Sequence, residues 1–93
     1  MNNKNMEKLL PIGTVVLLKN GKKRIMITGY FAIEPSEKDK VYDYSGVLFP
    51  EGILSTDNIL VFNHEQIIRV DYLGLIDKEQ QEFIQKLKKE IMK

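Results

Sequence analysis

The stretch FNHEQIIRVDYLGLI, Phe62 to Ile76, decides the fold. Asn63 followed by Gln66 is a helix-start capping pair, since each side chain can serve the other's backbone. Only about one helical turn fits before Ile67 to Leu73 resumes a strand pattern. Strand, single turn, strand is the arrangement of an SH3-like barrel, whose last two strands are linked by a 3₁₀ turn.

Upstream, NILVF (Asn58 to Phe62) reads as a short strand, with ILSTD as a crossover before it. VYDYSGVLF, Val41 to Phe49, is a longer strand rich in the aromatic and branched residues that sheets favour. Pro50, Glu51 and Gly52 follow it and fit a type I turn. In that strand Tyr42, Tyr44, Gly46 and Leu48 share one face, and Val41, Asp43, Ser45, Val47 and Phe49 the other. Gly46 leaves a gap that a neighbouring ring can fill. AIEPSEKDK, Ala32 to Lys40, is charged and lacks apolar period, so it reads as a solvated loop.

TVVLLKNGKKRIMITGYF, Thr14 to Phe31, reads as a hairpin around Asn20-Gly21, a strong turn signal. An even loop places Val16 and Leu18 on the face of Ile25 and Ile27; an odd one places Val15 and Leu17 there. Downstream, DKEQQEFIQKLKKEIMK reads as a helix over about residues 77–92. Asp77 caps it with Gln80, and Phe83, Ile84, Leu87 and Ile91 form one apolar stripe.

The fold class that follows is α+β and mainly β. It is a five-stranded SH3-like barrel, or a strongly curled antiparallel sheet, with a C-terminal helix packed on it. A flexible polar segment over residues 1–8 precedes a single domain over residues 9–93.

At 93 residues the chain has room for one domain. There are 14 basic and 13 acidic residues, a balance that gives no global pull toward nucleic acid or an anionic membrane. The absence of cysteine excludes disulfides and thiolate metal sites. No apolar run approaches the ~20 residues of a membrane helix, and the start lacks the apolar core of a secretory signal. A cytoplasmic protein is expected.

Two surfaces are candidates for recognition. Tyr42, Tyr44, Phe49, Pro50 and Glu51 offer an aromatic ledge for a protein partner, or else they are scaffold. Lys19, Lys22, Lys23 and Arg24 at the hairpin tip offer a weaker nucleic-acid patch, or else they keep the tip solvated. The acidic loop from Glu34 to Lys40 is a third feature, suited to an inhibitor of a basic active site. His64 is the only histidine and stands beside Glu65 rather than at a helical ligand spacing, so it reads as part of the capped turn. No nucleophile elbow or phosphate-cradling loop is present. No enzyme, no cofactor and no metal is expected.

LLPIGTVVLLKNGKKRIMITGY, YDYSGVLFPEG and FNHEQI together resemble the bacterial domain-of-unknown-function family four-one-seven-six. The distinctive parts are Leu10-Pro11-Ile12-Gly13, Tyr42-Asp43-Tyr44, Pro50-Glu51-Gly52 and Phe62-Asn63-His64. The family occurs in Gram-positive bacteria, often within type VII secretion loci beside toxins with an LXG domain. The resemblance implies an accessory role there, as a cytosolic adaptor or chaperone holding a secreted toxin or a secretion component. An immunity-type inhibitor is the alternative, and a small nucleic-acid-binding barrel the next. The family brings no established site residues.

Overall fold

Five strands follow one another and then a helix: β1 Val15–Leu18, β2 Arg24–Ile33, β3 Val41–Phe49, β4 Leu60–Phe62, β5 Ile67–Tyr72 and α1 Lys78–Ile91. Single 3₁₀ turns at Thr56–Asn58 and His64–Gln66 precede β4 and β5. The computed structural model describes residues 9–34, 36–37 and 39–91, without the side chains of Thr56 and Ile91. The loose start expected over residues 1–8 lies outside the described residues, as does the Ile91 end of the helix stripe. The strands form one antiparallel sheet in the order β4-β3-β2-β1-β5. The sheet is open rather than a closed barrel, with β4 and β5 as its edges.

The hairpin resolves to the even alternative. Val16 lies opposite Ile25, and Leu18 packs on the same core. The turn differs from the Asn-Gly expectation in detail. The Gly21 N–H donates to the Leu18 carbonyl at 3.0 Å, and it is Asn20, at φ +62°, that takes the left-handed conformation. Asparagine tolerates that region better than most side chains do. At the far end of β3, the Gly52 N–H reaches back to the Leu48 carbonyl at 2.8 Å. The return therefore spans one residue more than a type I turn. Its Phe49–Pro50 bond is cis, and Gly52 has φ +72°.

One irregularity in β2 sets the core. Ile27 pairs with Gly46 but Gly29 pairs with Ser45, so Thr28 is an extra residue in the ladder. Without the bulge, alternation would send Tyr30 to the face away from Ile25 and Ile27. With it, Tyr30 lies opposite Tyr44. Phe31 then adopts φ +52°, and both Tyr30 and Phe31 pack against the core.

The core holds Leu9, Val16, Ile25, Ile27, Tyr44, Phe62 and Ile84. Gly46 sits beneath Phe62. A Cβ there would lie 2.9 Å from Cε1 of Phe62 and 2.6 Å from Cγ2 of Ile25. From α1, Ile84 is buried and Leu87 packs alongside. Phe83 stays 52% exposed, its ring 6.4 Å from that of Tyr30. Burial of Ile84 contributes about 1.5–3 kcal/mol toward holding the helix on the sheet. Asp77 caps α1 as expected, accepting from the Gln80 N–H at 2.8 Å.

Candidate functional site

The four distinctive sequence motifs divide between two faces of the sheet. On the core face, three of them grip one another. The Leu10 N–H donates to the Tyr44 hydroxyl at 3.0 Å, and the Leu10 carbonyl accepts from the Tyr30 hydroxyl at 2.8 Å. The Tyr44 hydroxyl lies 2.7 Å from Nδ1 of His64. That oxygen also accepts from Leu10, so one hydroxyl joins the entering segment to the single turn. The carboxylate of Asp43 accepts from the His64 backbone N–H at 2.8 Å, and the Asp43 N–H donates to the Asn63 side chain at 3.1 Å. The Gln66 side chain closes the single turn by accepting from the Asn63 N–H at 2.8 Å.

Asp43, His64 and Tyr44 superficially suggest a catalytic relay. The carboxylate of Asp43 receives the backbone N–H of the histidine. Burial pushes the Tyr44 phenol far above its ordinary value, the Leu10 amide pulling less strongly the other way. The cluster thus holds donors and acceptors from three segments in fixed places, an arrangement that locks those segments together. Among the described residues, no group of three His, Asp or Glu side chains converges as a metal site would require.

The opposite face carries a groove. There β2 begins where β3 ends, with Arg24 opposite Phe49 in the ladder. The Arg24 guanidinium stacks over the Phe49 ring, 5.0 Å from its centroid. Arg24, Phe49 and Asp71 line two adjoining recesses. The larger, about 480 Å³, adds Leu17, Lys22, Lys23 and Arg69. The smaller, about 350 Å³, adds Gly13, Val15, Met26 and Tyr72. One half is therefore basic and the other apolar, joined across a stacked Arg–Phe pair.

Two ion pairs set the groove's charge. Lys23 Nζ lies 2.8 Å from Glu51 at the rim, and its hydrogen bond holds the Glu51 carboxyl below the ordinary range. Arg69 grips Asp71 with two bonds, Nε to Oδ1 at 2.5 Å and Nη2 to Oδ2 at 3.0 Å. That hydrogen-bonded pairing lowers the Asp71 carboxyl, with charge from Arg69 and Arg24 adding to it. These exposed pairs organise side chains more than they stabilise the fold.

The aromatic ledge read from the sequence is split by the pleat. Tyr44 is fully buried in the core. Tyr42 is half-buried on that same face, its hydroxyl donating to Glu37 at 3.0 Å. Phe49 points into the groove, with Pro50 and Glu51 exposed beside it. Lys22, Lys23 and Arg24 reach the same groove from the hairpin tip. Lys19 is exposed, and its N–H donates to the Gln66 carbonyl at 2.8 Å. Phe49 and Glu51 from one candidate set thus meet Lys22, Lys23 and Arg24 from the other. Sequence reasoning missed Val15, Met26, Arg69, Asp71 and Tyr72. The opposite charges two apart in Arg69-Val70-Asp71 were the available signal, since alternate strand residues share a face.

No helix among the described residues is long and apolar enough to cross a membrane. A search of curated proteins found no match, and a search of solved structures found none. The family model Domain of unknown function (DUF4176) matches residues 9–83, from the Leu10 clasp through every strand to the first turns of α1, and the chain belongs to that family.

Proposed function

We propose that this chain is a non-enzymatic protein-binding module, a cytoplasmic adaptor or chaperone serving type VII secretion of LXG-type toxins. The observation that carries the binding role is the groove, where a basic half and an apolar half meet on a rigid sheet. Such a surface suits a partner segment with an apolar or aromatic anchor next to carboxylates. The secretion setting rests on the family resemblance alone.

Nucleic acid is a poorer fit for this groove. The face of Phe49 that would stack on a base is covered by Arg24, and Asp71 and Glu51 oppose phosphate. For an inhibitory role, the acidic loop has Glu37 already engaged by Lys40 and Tyr42.

Binding to an LXG-type toxin tests the proposal. Calorimetry is expected to show a complex that Phe49→Ala and Arg24→Ala abolish and Tyr42→Phe leaves intact. Absence of a complex, or indifference to both groove variants, removes it. Co-expression separates the roles: an adaptor changes toxin export, whereas an inhibitor rescues growth.

A further inference from the structure

β5 ends the sheet: β1 lies on one side of it, and no described strand lies on the other. Its side chains are open to solvent, Ile68 by 56%, Val70 by 45% and Tyr72 by 65%. Leu73 and Leu75, just beyond, are exposed as well. An exposed apolar edge is a template for another strand.

Edges that are kept single are blunted by charges, often lysine, by proline, by shortness or by bulges. β5 has two bulges, but its charges do not repel a second copy. In Ile68-Arg69-Val70-Asp71-Tyr72 the charges have opposite sign and flank Val70 symmetrically. Two antiparallel copies centred on Val70 place each Arg69 opposite the Asp71 of the other copy. The same register brings each Ile68 level with Tyr72, which the bulge at Asp71 turns to the groove side, opposite Val15. Like charges never face each other in this pairing, and oppositely charged and apolar cross-strand pairs are the favourable ones.

We infer that the chain forms a two-fold dimer through antiparallel β5–β5 pairing centred on Val70. Bulges against β1 at Ile68 and Asp71 shorten the regular ladder, so the apolar ends of the strand carry much of the contact. The two-fold axis runs normal to the sheet. Both grooves then lie on one side of a continuous sheet.

The test uses the full chain. Sedimentation equilibrium from low to high micromolar concentration is expected to show monomer passing to dimer. Arg69→Asp sets like charges opposite and weakens the dimer at least about tenfold. Adding Asp71→Arg to that variant restores it. The chain has no cysteine of its own, so Val70→Cys, on the axis, becomes a disulfide-linked dimer on mild oxidation. Ile68→Cys, off the axis, does not. A monomer at every concentration overturns the inference. So does a folded Val70→Cys that stays unlinked, or an Ile68→Cys that links as readily. A chain that is monomeric until an unrelated extended peptide is added identifies a different occupant of the edge.

Discussion

The Tyr44 hydroxyl, at 2.7 Å from Nδ1 of His64, is the point through which β3, the single turn before β5 and the entering Leu10 segment are tied together. Removing that oxygen while keeping the ring isolates its contribution. Tyr44→Phe leaves the Leu10 N–H and His64 Nδ1 without this partner and is expected to destabilise the fold by about 1–3 kcal/mol. Tyr44→Ala, which also empties the space beside Phe62, is expected to cost about 3–5 kcal/mol. Urea unfolding measures both. Groove binding by the Phe variant should remain near that of the parent.

Burial raises the Tyr44 phenol above its ordinary 10.0, and burial raises Tyr30 in the same direction. A phenol that ionises later in the folded chain than in the unfolded one contributes stability that is complete below pH 10. That stability is lost as pH climbs beyond it. The unfolding free energy should therefore fall on the alkaline side of pH 10. Tyr44→Phe should make the fall shallower; an unchanged slope would show that Tyr44 is not its source.

Gly46 is required by the ring above it. Gly46→Ala would push a methyl against Phe62, Ile25 and the Met26 carbonyl, and overpacking of this kind costs about 1–3 kcal/mol. Thermal melting of the single variant checks it. Pairing it with Phe62→Leu should recover part of the loss, because the two residues share one space.

In the groove, stability and binding should separate. Arg24 is exposed, so Arg24→Ala should shift unfolding by no more than about 0.5 kcal/mol. It should nevertheless weaken binding of the proposed partner by at least about tenfold. Arg24→Lys should fail to restore binding, since an ammonium lacks the planar fork that stacks on Phe49. Full rescue by lysine would reduce Arg24 to a simple point charge.

The strands, the single turn and the capped helix were legible because each rests on local chemistry: alternation, a capping pair, an apolar stripe. That a ring would fill the gap at Gly46 was legible for the same reason, but not that the ring belongs to Phe62. The Thr28 bulge was not, because an extra residue in a ladder is defined only by the partner strand. Its consequence, Tyr30 facing Tyr44, was hidden with it. Alternation along β3 already parted Tyr44 from Phe49, but it did not say which of the two faces is the core. The groove itself joins β1, β2, β3 and β5, and no local pattern reports which strands lie side by side. Arg69 and Asp71 became part of it only once β5 was placed against β1.

That placement governs how the molecule assembles. β2, β3 and β4 are joined to their sheet neighbours by short connections, while β1 must also pair with a strand far along the chain, Val15 opposite Tyr72. Closing so long a loop is slow compared with zipping a hairpin. The meander should gain protection from hydrogen exchange first, and β1 should gain its second neighbour last. During synthesis, then, one flank of β1 waits uncovered until the ribosome has passed β5.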